Sequence, residues 1–231
     1  MSSPLELSVP QFKLDLEGNN IGTMLLWLKD SLTPAVGPAI SNAGGATAVG
    51  GYVRSATAGN TITLAKSIPI NTVTDFLILA FRTRTPTAAG LLGGRMAGSG
   101  NSAFGSLNAA LSLATSTAII TPNSVNSAES ATFTPGTAIN TEYPFVFTYD
   151  PATKKITVYT YNGSILSGGT ALANFSQITF NQIILSATAA TYSELRDLQL
   201  VKYESKPAKI AAKVTAYLAN PFTDLSNSLA F

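Results

Sequence analysis

The densest run of charged residues that could support acid–base chemistry is Glu194-Leu195-Arg196-Asp197. In a regular β-strand, side chains three residues apart point to opposite faces, so we expect the carboxyls of Glu194 and Asp197 not to share a cleft. Retaining glycoside hydrolases hold two carboxyl groups about 5 Å apart. This spacing therefore disfavours glycoside hydrolysis, and a divergent glycosidase that uses Glu194 or Asp197 stays an alternative.

The composition excludes several further classes of site. The chain has no His and no Cys among its 231 residues. Histidine is the usual general base near neutral pH, and His and Cys are the common ligands of zinc and copper. Triad hydrolysis, thiol chemistry and zinc sites would therefore need rarer substitutes. We expect no enzyme activity, no catalytic residue, no metal site and no cofactor.

Two pairs of oxygen-bearing side chains could contribute to a calcium site, but neither forms a recognised loop. These pairs are Asp150 with Asn162 and Asn71 with Asp75. Asp150 also has a simpler role as a turn residue that accepts a hydrogen bond from its own backbone. The sequence therefore predicts no metal ligand set of known spacing.

Aromatic side chains near turns are the candidates for contact with a sugar ring. Trp27 is the only Trp, and its apolar neighbours predict that it is buried in the core. The tyrosines in or beside turns are better candidates for glycan contact, although such residues can also serve packing alone. They are Tyr52, Tyr143, Tyr161 and Tyr192.

The charge distribution argues against a nucleic-acid or membrane partner. The 14 basic and 12 acidic residues give a net charge of +2, and only 11% of residues are charged. A nucleic-acid surface would need a dense stripe of Lys and Arg. The segment Met1–Glu6 has no basic residue, and the apolar run Met24–Leu28 is too short to span a bilayer. We expect no nucleic-acid binding, no signal peptide and no membrane insertion.

The hydrophobic pattern predicts an all-β chain followed by one helix. The segment Phe145–Gly163 alternates on both sides of an Asp-Pro turn, as expected for a hairpin, and further strands recur about every ten residues. The periodicity changes after Glu204. Ser205-Lys206-Pro207 predicts a helix start, Asn220-Pro221 predicts its end, and Lys206, Lys209 and Lys213 are expected on the face away from the apolar stripe.

We divide the chain into three parts on this basis. Residues 1–29 form an N-terminal extended segment, residues 30–204 the β-sandwich, and residues 205–231 a C-terminal helix with an apolar tail. The terminal parts could pack on the chain's own sandwich or dock on a neighbouring subunit. The candidate anchors for a partner are Leu5, Leu7, Val9, Phe12, Tyr217, Leu218, Phe222 and Phe231.

Two groups of motifs resemble known domains. Phe145–Asp150, Ile156–Tyr159 and Asn162-Gly163 resemble the "tyD…l.vYvNG" hairpin of concanavalin A-like, laminin-G-type jelly rolls, and Arg196–Leu200 falls where those domains carry their closing strand. Asp30–Pro34 and Gly50–Arg54 resemble the lead-in to such jelly rolls in bacteriophage tail-fibre and other virion proteins, although the usual Phe and Arg of that motif are missing. The implied fold is an antiparallel jelly-roll sandwich with one C-terminal helix.

The resemblance implies a non-enzymatic structural component of a bacteriophage particle, either a capsid decoration protein or a tail or fibre accessory protein. Its partners would be other virion proteins and further copies of itself, at the virion surface after synthesis in the host cytoplasm. The alternative is a carbohydrate-binding module that recognises a host-surface polysaccharide. The two functions differ in whether the termini or the loop tyrosines make the contacts.

Overall fold

The protein is described here as a computed structural model. The structure describes residues 21–55, 61–84, 90–92, 94–98, 103–104, 106–111, 118–121, 131–133, 140–160, 165–167, 177–185, 187–188, 191–192 and 194–226. No helix within these ranges is long and apolar enough to cross a bilayer.

Nearly all regular structure in these ranges is β-strand. The strands and the helix, in chain order, are β1 (Thr23–Leu28), β2 (Ile40–Asn42), β3 (Thr47–Val49), β4 (Tyr52–Arg54), β5 (Thr61–Asn71), β6 (Phe76–Arg84), β7 (Gly90–Leu92), β8 (Gly94–Gly98), β9 (Ala103–Phe104), β10 (Ser106–Leu111), β11 (Ala118–Thr121), β12 (Ala131–Phe133), β13 (Tyr143–Asp150), β14 (Lys155–Thr160), β15 (Ile165–Ser167), β16 (Gln177–Leu185), β17 (Ala187–Thr188), β18 (Thr191–Tyr192), β19 (Glu194–Tyr203) and α1 (Ile210–Ala219).

The largest sheet has eight strands and is antiparallel. Its order is β15-β14-β13-β6-β19-β4-β3, and β1 also pairs with β19. One edge of β19 pairs with β6 from end to end. The other edge is shared, because β4 pairs with Glu194 and Leu195 and β1 pairs with the stretch from Leu198 to Lys202. The last strand of the chain is therefore central in this sheet.

A second, five-stranded sheet of order β2-β5-β16-β8-β9 packs against the large one. Inward-facing side chains of both sheets form one core, in which Phe81 stacks on Phe147 with ring centroids 5.7 Å apart. A bulge interrupts β16, since its register shifts between Phe180 and Gln182. The remaining described strands form a four-stranded sheet, β12-β11-β10-β7, and the pair β17–β18.

The outer face of the large sheet is also apolar over part of its area, because β6 is buried on both faces. Leu77, Leu79 and Phe81 point into the sandwich. Phe76 and Ile78 point outward and pack with side chains of α1 in a second hydrophobic cluster. The alternation of a strand thus supplies two cores, and the molecule has three layers where the helix lies.

The C-terminal helix is present but begins later than predicted. It starts at Ile210, and Lys209 at its N-terminus makes no side-chain capping hydrogen bond. The predicted start at Ser205 is wrong because the residue before Pro207 is disfavoured in the helical conformation. The predicted end is correct, since the Asn220 amide donates to the carbonyl oxygen of Ala216, 2.9 Å away.

The apolar stripe of α1 is confirmed, but one of its predicted polar residues lies inside. Val214 and Tyr217 are buried, with Ile210 and Leu218 packed beside them. Lys213, predicted on the outer face, is only 1% exposed. Its ammonium nitrogen lies 5.8 Å from the centroid of the Tyr203 ring. A lysine stem can pack along apolar surface in this way because its four methylenes are hydrophobic.

Candidate functional site

One end of the outer face carries a row of charges across three strands. Glu194 of β19 is opposite Arg54 of β4 and opposite Arg84 of β6. Nε of Arg54 donates to Oε1 of Glu194 over 2.7 Å, and Nε of Arg84 donates to Oε2 over 2.5 Å. The carboxylate is fully buried between two guanidinium groups that are each about one quarter exposed. Burial of this carboxylate is tolerable because both oxygens are paired.

A second row lies beside it and centres on Glu142. Arg196 contacts this carboxylate with two nitrogens, Nε at 2.5 Å and Nη2 at 3.0 Å. Arg82 contributes Nη1 at 3.2 Å, and the hydroxyl of Tyr52 donates to Oε2 at 2.6 Å. Burial raises the pKa of Tyr52 to about 12, with further contributions from the hydrogen bond to Glu142 and from the charge of that carboxylate.

Asp197 sits in a bulge of β19 that changes the phase of the strand. The register shifts between Arg196 and Gln199, and Asp197 has a φ of 52°, a conformation that Asp tolerates better than most residues. The bulge places Leu195 and Leu198 in the same inner core. The side chain of Asp197 therefore contacts the outer face, where Glu194 also lies, and the predicted placement on opposite faces is wrong because it assumed a regular strand.

The carboxylate of Asp197 is fully buried and accepts three hydrogen bonds. The donors are Nε1 of Trp27 at 2.8 Å, Nε2 of Gln199 at 2.9 Å and the backbone amide of Phe222 at 2.7 Å. Burial raises the pKa of Asp197, and these hydrogen bonds and the charge of Arg82 oppose the rise only in part. Trp27, predicted to be a core residue, is half-buried with its indole N–H directed at this carboxylate.

These contacts attach the C-terminal segment to the sheet. Nη2 of Arg82 donates to the carbonyl oxygen of Tyr217, and the hydroxyl of Tyr217 donates to the carbonyl oxygen of Asp197 over 2.7 Å. The amide of Leu225 donates to Oε1 of Gln199 over 3.0 Å. Each of the three carboxylates is thus engaged in positioning strands and helix, which leaves none of them placed as a general acid or base.

A polar cleft of about 450 Å³ opens at the other end of β19. Asp75 fixes the turn beside it, accepting hydrogen bonds from the amide of Asn71 at 3.0 Å and from the hydroxyl of Thr74 at 3.2 Å. Nζ of Lys202 lies 3.9 Å from Oδ2 of Asp75. The cleft thus combines hydroxyl, amide and charged groups with an apolar wall. It is lined by Pro69, Ile70, Asn71, Thr74, Asp75, Thr179 and Lys202.

The described side chains of the two pairs considered for calcium form hydrogen bonds that stabilise turns. Asn71 and Asp75 hold the turn between β5 and β6 through backbone amides. Asp150 accepts from the amide of Ala152 over 3.0 Å, the turn role predicted for it, while Asn162 lies outside the described residues. Within the described part of the chain, no group of three or more acidic residues is close enough to hold a metal ion.

Two of the four predicted glycan-contact tyrosines are visible as side chains, and both are buried. Tyr52 is 6% exposed and donates its hydroxyl to Glu142, and Tyr143 is 4% exposed in the inner core. Tyr161 and the side chain of Tyr192 lie outside the described residues. The glycan role of this set stays a prediction, and it would require the rings of Tyr52 and Tyr143 to become accessible.

Three of the eight predicted partner anchors lie within the described residues, and the other five do not. Tyr217 is fully buried against its own sheet, and Leu218 packs beside the same cluster. Phe222 is half-buried, with the guanidinium carbon of Arg196 5.4 Å from its ring centroid. The contacts described for this segment are therefore within the chain, and a role in docking stays a prediction. The other anchors, Leu5, Leu7, Val9, Phe12 and Phe231, lie outside the described residues.

The charged rows were not predicted from the sequence, because Arg82 and Arg84 follow an apolar strand and would be expected at its exit to solvent. Arg82 is in fact 4% exposed. A usable signal was present: Arg82 and Arg84 share one face of a strand, as do Glu194 and Arg196 of another. Complementary charges at matching spacing on two strands predict cross-strand ion pairs if the strands are neighbours.

Comparison with known proteins places the fold. No family model matches the chain, and no curated protein matches it. Among solved structures, a sialidase of Trypanosoma rangeli in complex with sialic acid aligns over 87% of this chain with a TM-score of 0.53 and 14% identity. The binding domain of botulinum neurotoxin serotype G aligns over 85% with a TM-score of 0.50 and 13% identity. The chain therefore shares a β-sandwich fold with these structures.

The sandwich spans only part of these proteins, 34% of the sialidase chain and 51% of the neurotoxin domain. A seed lectin of Lotus tetragonolobus is covered over its whole length but has a TM-score of 0.48 and 12% identity. At these identities the likeness concerns the fold. The predicted fold class, an antiparallel sandwich with one C-terminal helix, is confirmed by the sheet order and by the two neighbours with the higher TM-scores.

Proposed function

We propose that this sandwich is a non-enzymatic carbohydrate-binding domain and that a saccharide binds in the polar cleft beside Lys202. The observation that carries the proposal is the composition of that cleft. Its volume of about 450 Å³ lies in the range of small-ligand sites, roughly 300–1,000 Å³. Its lining offers both hydrogen-bond donors and acceptors, which saccharide hydroxyls require.

The cleft groups differ in what they would contribute to sugar binding. Asp75 and Lys202 form a loose pair at 3.9 Å, a distance at which a hydroxyl can bridge acceptor and donor. Thr74 and Thr179 can donate or accept because a hydroxyl does both. The exposed ring of Pro69 supplies an apolar surface for the C–H face of a sugar. Orientation would come from the polar groups and contact area from the proline.

Hydrolysis is disfavoured because the three carboxylates of the outer face are already engaged. Glu142, Glu194 and Asp197 are each held by arginine or by several hydrogen-bond donors. The sialidase among the structural neighbours is an enzyme by its description, but the likeness at 14% identity concerns the fold. A binding domain needs no carboxyl group with a free face, and the pattern of contacts favours that role.

The wider setting that we propose is a bacteriophage particle. The domain would lie at the virion surface after synthesis in the host cytoplasm, in contact with other virion proteins and with copies of itself, and would face a host polysaccharide. The support is the sequence resemblance to jelly rolls of virion proteins and the apolar residues at both termini. Light scattering over a concentration series tests the self-association, since a closed oligomer supports it and a strict monomer does not.

A glycan array followed by calorimetric titration tests the cleft. A bound saccharide should lose at least roughly tenfold in affinity in Lys202→Ala, because a hydrogen bond to a charged group is lost. Lys206→Ala is the matched control, since Lys206 is an exposed lysine paired with Asp150 at 3.2 Å. If Tyr161→Ala and Tyr192→Ala weaken binding while Lys202→Ala does not, the site lies at the loop tyrosines and not in the cleft.

A further inference from the structure

We infer that the outer face of the large sheet carries a second binding site, formed by Arg84 and Arg196 beside Tyr52, for a sulfate or carboxylate group of an acidic saccharide. This site is separate from the polar cleft. Arg196 and Lys202 are six residues apart on β19, which corresponds to about 20 Å. The second site does not depend on whether the cleft binds a sugar.

The two guanidinium groups are held close together. The guanidinium carbon of Arg84 lies 3.8 Å from the centroid of the Tyr52 ring, and that of Arg196 lies 4.9 Å from the same centroid. The two carbons are therefore less than 9 Å apart. Glu194 holds Arg84 through Nε, and Glu142 holds Arg196 through Nε and Nη2. A ligand would meet cations whose side-chain freedom is already restricted, which lowers the entropic cost of binding.

Both arginines retain donors for a ligand. Among the described residues, Nη1 and Nη2 of Arg84 have no hydrogen-bond partner, and neither does Nη1 of Arg196. Their side chains are 25% and 23% exposed, so both arginines are partly accessible from solvent. Planar N–H pairs of guanidinium match the oxygens of a sulfate or carboxylate in a bidentate geometry.

The partly exposed cations of this face favour an anion. Arg84 shares Glu194 with Arg54, and Arg196 shares Glu142 with Arg82, so each of these carboxylates is opposed by two cations. Arg82 is 5% exposed and is committed to Glu142, Asp197 and the helix carbonyl. Arg84 and Arg196 are less buried than Arg82 and are therefore the arginines that an oxyanion could approach.

An acidic saccharide fits this surface better than a nucleic acid does. A polyanion with regularly spaced phosphates requires a stripe of cations, and the whole chain has a net charge of only +2. Two neighbouring guanidinium groups are enough for one oxyanion. The ring of Tyr52 is 6% exposed and occupied by the arginines, so it would not offer a base-stacking platform.

The test compares three oligosaccharides of equal length that carry a sulfate, a uronate or no charge, each titrated by calorimetry at low salt and at physiological salt. We expect one charged oligosaccharide to bind roughly tenfold or more tightly than the neutral one, and to weaken as salt rises. The sulfate and uronate arms identify which oxyanion is preferred. Arg84→Gln should reduce that affinity about tenfold, and Arg84→Lys should recover part of it.

The variants are chosen so that the protein stays folded. Arg84→Gln leaves Arg54 as a partner of the buried Glu194, whereas removal of both arginines would strand that carboxylate. Lys66→Gln is the matched control, because Lys66 is an exposed cation on β5 of the other sheet. Circular dichroism checks folding, and Arg84→Lys retains the charge if Arg84→Gln does not fold.

Several results would overturn the inference. Equal losses in Arg84→Gln and Lys66→Gln would show a general charge effect, and equal affinity for charged and neutral sugars would show that no oxyanion is recognised. Tighter binding of single-stranded DNA than of either acidic sugar would show that the ligand is a nucleic acid and not a saccharide. Loss of acidic-sugar binding in Lys202→Ala together with unchanged binding in Arg84→Gln would place the acidic sugar in the cleft, so failure of this site and failure of the cleft are distinguishable.

Discussion

Arg82 of β6 donates a hydrogen bond to the carbonyl oxygen of Tyr217 in the last turn of α1. The last carbonyls of a helix have no partner within the helix, and a cation near them also interacts favourably with the helix dipole. The same guanidinium contacts Glu142 at 3.2 Å. One arginine of the sheet thus fixes the end of the helix and part of the charged network.

Replacing Arg82 by Gln should lower the free energy of unfolding by about 3 kcal/mol, since loss of one partner leaves buried charge uncompensated. Asp197 and Glu142 would each lose a cation, and Tyr217 a donor to its carbonyl oxygen. Urea denaturation near neutral pH measures the change. Lys66→Gln is the control and should stay within about 0.5 kcal/mol of the parent. A loss below about 1 kcal/mol for Arg82→Gln would contradict the role described for it.

Glu142 should make stability depend on pH in the acid range. Burial raises the pKa of its carboxyl, but hydrogen bonds from Arg196 and Tyr52 and the charges of Arg196 and Arg82 outweigh burial, so the pKa is lowered from 4.5. A carboxyl group whose pKa is lower in the folded state than in the unfolded state stabilises the fold at pH values above its unfolded-state pKa. This contribution to stability is lost as the pH falls through the folded-state pKa.

The free energy of unfolding of the parent should exceed that of Glu142→Gln by about 2 kcal/mol near neutral pH. This difference should shrink once the pH falls below 4.5. Denaturation of both proteins across the acid range measures this. Asp197 acts with the opposite sign, because burial raises its pKa and its contribution declines as pH rises through that pKa. Asp197 is present in both the parent and Glu142→Gln, so its contribution cancels when the two free energies of unfolding are compared. A difference that does not change with pH would refute the assignment to Glu142.

Removal of residues 205–231 should unfold or aggregate the domain. The deletion would expose the outer apolar cluster around Phe76 and Ile78, which Val214 and Tyr217 now cover. Exposed apolar surface of this kind promotes association. Circular dichroism and light scattering of the truncated protein measure the result. A folded, monomeric truncation product would instead mean that the segment contributes little to stability, and docking elsewhere would then be favoured.

Two glycines with similar backbone angles allow a matched test of a close contact. Gly44 has a φ of +58° and Gly50 a φ of +57°, but a Cβ on Gly44 would lie 2.0 Å from the carbonyl oxygen of Thr61, whereas Gly50 has open space. Gly50→Ala should cost about 1 kcal/mol for the left-handed conformation alone. Gly44→Ala should cost at least about 2 kcal/mol more, since backbone must move. Equal losses in thermal denaturation would refute the clash.

Alternation and turn residues were sufficient to predict the sandwich, the Phe145–Thr160 hairpin and the helix stripe at Val214 and Tyr217. These features follow from local periodicity, which depends on neighbouring residues alone. The charged rows could not be predicted in the same way, because Arg54, Glu142 and Glu194 are far apart in sequence and meet only through the strand order. The bulge at Asp197 left one signal that was missed, the spacing of three residues between the apolar Leu195 and Leu198, which changes the phase of the strand.

The position of β19 in the large sheet also determines when that sheet can form. The strands that flank it, β1, β4 and β6, all belong to the first half of the chain, while β19 ends at Tyr203. On a ribosome, β1 and β4 therefore emerge long before the strand that joins them to β6. Contacts this distant in sequence are slow to form because loop closure must precede them. Completion of the central sheet must therefore await the synthesis of β19.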